Sequence, residues 1–418
     1  MRRHLFLRAG TALALTTVTL SLPTAAMAEE EETVEAAAVS SAGVTIGGHP
    51  VWAHFNNPPA FSNRDHTITN ELIRLINAAP ATSTIRGTIH SLSIPAVANA
   101  LVNAQNRNVN VSVVIDGKNK DLDTTNNNTA VKAIKTLTNH RFCTYGDGRA
   151  CISTSADGDM HTKMFTFSTT ADPNGVTRNN VSWFGSANLT YATGPDSFNN
   201  TITVYGDTAL YNGFNANFTD MWNRRHYTDN DYYDAASGRG YYQAAAADAY
   251  ASPEQAGETD TIVTRLNDAT PDANCRLRIG MSFVTSGRPG LVSLVKRFKS
   301  AGCQIWMVVG TKSDTDPSIN MTESVYQDLL GAGIKIRKKA KVHDKFFALY
   351  AKFGTTYQYR VYTGSQNWSA DALTDNEEIF VKMAPEPTTS HPLYNAFYNH
   401  FNDAYNNGTA CAASNPGC

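Results

Sequence analysis

Two thirteen-residue segments carry the same hydrophobic pattern. Residues 210–222 read LYNGFNANFTDMW and residues 393–405 read LYNAFYNHFNDAY, with six positions identical at an offset of 183. Phe214 and Phe218, like Phe397 and Phe401, are four residues apart, which puts each pair on one face of a helix. A second echo lies upstream. Residues 100–116 (ALVNAQNRNVNVSVVID) and 294–310 (LVKRFKSAGCQIWMVVG) each read as an amphipathic helix that ends at Asn or Gly and leads into a β-branched run. Helix followed by buried strand, once in each half, predicts α/β units built by duplication. The expected fold is α/β: two similar sandwich halves about a pseudo-twofold axis, with a site at their interface. The first half is placed at 49–235 and the second at 259–418. A Tyr-, Ala- and Gly-rich linker fills 236–258, and its 243–250 stretch is open to a helical reading.

The first 28 residues stand outside this pattern. Arg2, Arg3 and Arg8 precede an apolar stretch from Ala9 to Leu22, and Ala26-Met27-Ala28 gives a small-residue cleavage site. That layout predicts a secretory signal peptide cleaved after Ala28, hence a secreted protein. Residues 29–48 begin acidic and Ala-rich and read as a flexible lead-in. No other stretch approaches the ~20 apolar residues that span a membrane.

Composition narrows the classes further. Of 418 residues 42% are hydrophobic and only 17% charged, which excludes a long disordered chain or a coiled coil. Net charge is −2, and −5 once the three signal arginines are removed, so no global basic field grips nucleic acid. Six cysteines all fall in the exported part. Local bridges Cys143–Cys151, Cys275–Cys303 and Cys411–Cys418 are the simplest of the roughly 15 connectivities open to six.

The chemistry repeats with the scaffold. His161-Thr-Lys163 is matched by His343-Asp-Lys345, each followed by an apolar run. Each run leads to Gly-Ser-x-Asn: Gly185-Ser186-Ala187-Asn188 and Gly364-Ser365-Gln366-Asn367. Residues i and i+2 of a strand share a face, so each His–Lys pair is expected on one side. Two halves about a twofold axis would then gather two imidazoles, two ammonium groups and the Ser and Asn side chains in one cleft. Such a cleft suits a phosphate. One imidazole can attack phosphorus and the other can serve as acid and base, with no metal required.

These motifs resemble the phospholipase D superfamily, defined by paired HxKxxxxD and GSxN, over roughly residues 51–405. The Gly-Ser-Gln-Asn-Trp stretch with Asn376-Glu377-Glu378 after it is similar to secreted actinobacterial-type members. The resemblance implies His161 as nucleophile and His343 as general acid/base. It implies Lys163, Lys345, Asn188, Asn367, Ser186 and Ser365 around the phosphate. It also implies an acid after GSxN that orients a histidine across the interface. Glu378 fits that place for His161, with Glu377 its open alternative. The matching place in the first half reads Asn199-Asn200-Thr201, and Asp196 is the nearest acid. The final motif Asp is Ser168 in one half and Tyr350 in the other.

The function so implied is a secreted phospholipase D, a phosphoric diester hydrolase. It would hydrolyse, or transfer, the head-group phosphodiester of glycerophospholipids at a membrane or micelle surface through a phosphohistidine. A nuclease of the same superfamily and a non-catalytic phosphate- or membrane-binding protein are the alternatives. No cofactor is implied, and one complete site per chain makes a monomer sufficient. The basic run Lys335-Ile-Arg337-Lys338-Lys339-Ala-Lys341 reads as a solvated face or as a lip that draws an anion. His49, His54, His66, His90, His140, His226, His391 and His400 lack recognisable partners and read as surface or capping residues.

Overall fold

The computed structural model describes residues 43–58, 63–146, 148–412, 414 and 418. The signal segment 1–28 and most of the lead-in lie outside the described residues. The strands of the first half are β1 (Val44–Ile46), β2 (His49–Asn56), β3 (Thr84–Ile89), β4 (Asn110–Ile115), β5 (Asn139–Phe142), β6 (Met164–Ala171), β7 (Thr177–Gly185) and β8 (Asn199–Tyr205). They form one mixed sheet in the order β1-β2-β8-β7-β6-β3-β4-β5. The second half contributes β9 (Tyr241–Gln243), β10 (Ala247–Ala251), β11 (Ala269–Thr270), β12 (Arg276–Met281), β13 (Gln304–Val309), β14 (Lys335–Lys338), β15 (Lys345–Phe353), β16 (Thr356–Gly364), β17 (Ile379–Met383) and β18 (Thr409–Ala410). Their order is β18-β14-β13-β12-β15-β16-β17-β10-β9, with β11 paired to β15. Read from the opposite end, and leaving out β11 and β18, the second sheet repeats the first strand for strand.

That repeat moves the expected boundaries. Val44–Ile46, at the end of the expected lead-in, pairs with β2. The 236–258 span supplies the hairpin β9–β10, which occupies the place of β1–β2 in the second sheet. The helical option for 243–250 gives way to a strand because its alanines are core residues. Ala247, Ala249 and Ala251 are buried beside Val381 and Met383 of β17. Alanine's helix preference of well under 1 kcal/mol per residue yields to that packing.

The repeated helices, Thr208–Asn223 and Pro392–Asn406, sit in the shared interior. Phe397 meets Phe55 of the first sheet at 5.0 Å and Phe346 of the second at 5.2 Å, while Phe214 meets Phe184 at 5.5 Å. Gly213 is required by this packing, since a Cβ there would lie 2.4 Å from the Tyr242 ring. Helices Thr67–Ala78 and Pro95–Asn106 join a second core on the first sheet, and Pro289–Ser300 and Glu323–Gly331 a third on the second sheet. Pro95 and Pro289 each open their helix at the position where a missing N–H costs nothing. The three disulfides join Cys143–Cys151, Cys275–Cys303 and Cys411–Cys418, as the short spacings suggested. No helix of the described residues is long and apolar enough to cross a membrane.

Candidate active site

The two halves grip each other's histidine. His161 and Lys163 lie just before β6; His343 lies just before β15, with Lys345 as its first residue. The expected strand alternation is thus an extended approach to the strand, held from the opposite half. His161 N donates to the Glu377 carbonyl (2.9 Å), and His343 N to the Phe198 carbonyl (3.0 Å). Phe198 and Glu377 hold equivalent places, each twelve residues beyond a motif serine.

The next residue in each half reaches the ring. His161 Nδ1 lies 2.7 Å from Glu378 Oε2, and His343 Nδ1 lies 2.9 Å from Asn199 Oδ1. The Asn199 amide faces this way because its Nδ2 donates to the carbonyls of Thr193, Gly194 and Ser197. Against the Asn199 oxygen His343 carries its proton on Nδ1 and keeps a lone pair at Nε2, and His161 does the same against Glu378 as a carboxylate. Glu378, not Glu377, is the acid that reaches the His161 ring. Asp196 does not serve the second histidine; it pairs with Arg64 at 3.2 Å.

Both motif serines stand behind these partners. Ser186 Oγ donates to Asn199 Oδ1 (2.9 Å) and accepts the Asn200 N–H (3.0 Å). Ser365 Oγ accepts the Ile379 N–H (3.0 Å) and bonds Glu378. The motif glycines permit this close approach. A Cβ at Gly185 would lie 2.2 Å from the Asn200 carbonyl oxygen, and one at Gly364 2.0 Å from that of Ile379.

Lys163 and Lys345 each donate to the carbonyl of their own motif histidine at 2.5 Å. His161 is in electrostatic reach of Lys345 and His343, and His343 of Lys163, so the two motifs share one buried site. Burial, then the neighbouring lysines, holds both imidazoles well below 6.5. Burial pushes Glu378 up to about 8 against the pull of Lys163 and Lys345, and brings Lys345 down to about 7. Burial by itself thus favours neutral forms. An arriving phosphate anion reverses this, because its charge favours the protonated imidazole and ammonium.

Glu377 secures the loop beside the site. Its Oε1 accepts the backbone N–H groups of Ile152 and Ser153, next to the Cys143–Cys151 bridge. Burial pushes this carboxyl up to about 8. A raised folded pKa means that folding takes up a proton. Stability is then full below the unfolded value and falls as pH rises toward 8, by at most about 1.4 kcal/mol per pH unit. Glu377→Gln keeps the acceptor and removes the ionisation, so its Tm should fall less between about pH 5 and 8. Identical slopes in variant and parent would refute this account.

A profile described as "Cardiolipin synthase, PLD-like domain" matches residues 72–222 and 262–402, one match per half. The chain belongs to this PLD-like family. No curated protein gives a sequence match. Among solved structures, phosphatidylserine synthase of Haemophilus influenzae Rd KW20 superposes with a TM-score of 0.55 at 11% identity. The alignment covers 86% of this chain and 87% of that one, which is a likeness of fold. Polyphosphate kinase of Porphyromonas gingivalis aligns at 12% identity and TM-score 0.49, covering 84% of this chain; the chain spans about half (49%) of its length. Nuc of Salmonella typhimurium, a phospholipase D family member, aligns at 21% identity and TM-score 0.30, over 40% of this chain and 97% of its own.

The two places where this PLD-like chain lacks a motif Asp are structural. Ser168 Oγ accepts the Thr84 N–H at 2.8 Å, tying β6 to β3. Tyr350 stacks on Tyr359 at 4.4 Å and on Tyr357 at 5.3 Å. The basic run before His343 is engaged rather than a uniform lip. Arg337 donates to the Tyr405 and Asn406 carbonyls, Lys335 lies over Trp306, and Lys341 pairs with Asp314.

Two histidines read as isolated are central. His400 Nε2 bonds Asp344 Oδ2 at 2.8 Å beneath the second motif, and Asp344 accepts from Asn200 across the interface. His90 stands edge-on to His161, ring centroids 4.3 Å apart. Neither shows a motif in sequence; the only signal was His90's position directly after the apolar run of β3. His90, Asp116 and Asp159 bring three ligand-type atoms within 4.8 Å of one another, and the Lys118 ammonium bonds His90 Nε2 in the same cluster.

Proposed function

We propose that this chain is a phosphodiesterase that forms a covalent phosphohistidine at His161, with the head-group phosphodiester of glycerophospholipids as substrate. The observation that carries the reading is the crossed pair His161–Glu378 and His343–Asn199, which leaves one Nε2 free on each side of a lysine-lined site. In the first step, with the anion bound and His343 protonated to the imidazolium, His161 Nε2 attacks phosphorus, the bond to the leaving oxygen breaks, and that oxygen takes the Nε2 proton of His343. In the second step His343 removes a proton from water or an alcohol. The new oxygen attacks phosphorus, the P–N bond breaks, and His161 is restored. Lys163, Lys345, Asn188 and Asn367 bind the non-bridging oxygens, where charge develops.

Support for a lipid comes from names alone: the family is described by a cardiolipin synthase, and the phosphatidylserine synthase shares the fold. Export would follow from residues 1–28, and three disulfides suit an oxidising compartment. One observation favours a nucleic-acid substrate instead. Exposed Tyr145 and the half-exposed Arg149 lie on the loop that leads to Asp159 and His161, an aromatic and a guanidinium suited to a splayed base and its phosphate.

The test is incubation with phosphatidylcholine vesicles and ethanol, with lipids read by mass spectrometry. Phosphatidic acid together with phosphatidylethanol is expected, since water and ethanol compete for one phosphatidyl-enzyme. Neither product, with nicking of plasmid DNA, would replace the lipid reading by the nuclease. Loss of both activities would reject the phosphodiesterase itself.

A further inference from the structure

The two motif asparagines are held differently. Asn188 uses both ends of its amide: Oδ1 lies 3.2 Å from His90 Nδ1, and Nδ2 donates to Thr193 Oγ1 at 2.9 Å. In the second half, Arg288 holds the Gln366 side chain and the Asn367 carbonyl, while Asn367 Oδ1 has no partner. The difference traces to residues that only the first half carries. His90 directly follows β3, where Ser282 follows β12; Asp116 follows β4, where Gly310 follows β13.

Proton placement on His90 is set by its neighbours. The Lys118 ammonium bonds His90 Nε2, with the Asp159 carboxylate farther off at 3.6 Å; an ammonium has donors and no acceptor, so Nε2 is the acceptor. The ring proton is then on Nδ1, 3.2 Å from Asn188 Oδ1 and 3.3 Å from Ser91 Oγ. Lys118 is itself placed by its backbone N–H on Asp116 Oδ1, at 2.9 Å. With Oδ1 fixed, one amide hydrogen of Asn188 goes to Thr193 and the other is left over. Asn188, His90 and Lys163 pack around one point, closely enough to leave no room for a water there. Burial, with Lys163 next, brings His90 down to about 3, so the ring stays neutral and keeps this donor–acceptor polarity at neutral pH.

We infer that His90 is a positioning residue for the substrate anion: backed by Lys118, it pins Asn188 so that the amide offers an N–H, not its carbonyl oxygen, to a phosphate oxygen. This rests on the phosphodiesterase reading and assigns the orientation of one of its binding groups. Without His90 the amide can turn over and present its oxygen beside Lys163, where it repels an anion.

Binding of inorganic phosphate by calorimetry tests this without turnover. His90→Phe fills the same space but cannot donate, and should weaken phosphate about tenfold, the scale of one lost hydrogen bond in a buried site. With diester substrate, KM should rise more than kcat falls. His90→Gln, which can still donate to Asn188, should recover most of the affinity. In a double-mutant cycle, adding His90→Phe to Asn188→Ala should cost nothing further, because His90 acts through Asn188. Unchanged phosphate affinity in His90→Phe, or additive losses in the double variant, would overturn the inference while leaving the phosphodiesterase intact. A parent protein that binds no phosphate would remove both.

Discussion

His161→Ala is expected to lower turnover by about 10⁴-fold or more, because it removes the proposed nucleophile. His343→Ala should fail differently. Its loss withdraws the proton donor for the leaving oxygen and the base for water, but leaves the nucleophile and its Glu378 partner in place. A diester with a nitrophenolate leaving group needs little protonation, so His343→Ala should release a stoichiometric burst and then stall as a phospho-adduct. His161→Ala should give neither burst nor adduct. Mass spectrometry of the stalled protein should map the added group to His161. Normal turnover in either variant, or an adduct on His343, would end the assignment of roles.

Glu378→Gln should be the next most damaging change. In its ionised form Glu378 can only accept, so it fixes the His161 proton on Nδ1 and stabilises positive charge on the ring. A glutamine can present its amide to Nδ1 instead, which drives the ring proton to Nε2 and removes the lone pair. A loss of about 10³- to 10⁴-fold in kcat follows, with KM little changed. Asn199→Asp is the counter-experiment. A carboxylate beside His343 favours the imidazolium and raises its pKa, by about one unit or more for a contacting charge. The general acid then stays protonated to higher pH, so the alkaline limb of kcat/KM should shift upward with activity retained. Equal losses in Glu378→Gln and Asn199→Asp would mean that the asymmetry of the two partners has no bearing on the two steps.

The sequence by itself determined whatever depends on short chain separations. The i, i+4 phenylalanines of 210–222 and 393–405 specify helices, and the β-branched runs after 100 and 294 specify the strands they feed. Disulfides that close short loops pair without knowledge of the fold. The motif pairs also survive as patterns, because His, Lys, Gly and Asn recur at nearly constant spacing in both halves; the choice of Glu378 over Glu377 at the His161 ring came from the fold.

Only the tertiary structure decided what depends on which atoms meet across the interface. Asn199, in the place Glu378 holds in the other half, meets His343, while Asp196 is drawn to Arg64. Ser186 and Ser365 bond the neighbouring strand because the glycines before them let it come within hydrogen-bond reach. The Ala-rich 247–251 segment is a strand because β17 and the shared core cover it, which outweighs a small local preference for helix. His90 carries no motif at all. Its role comes from Lys118 and Asn188, 28 and 98 residues away, brought to one ring by adjacent parallel strands and the turn after β7. Local periodicity encodes elements; long-range pairing alone selects the partners that give a side chain its proton, its charge and its direction.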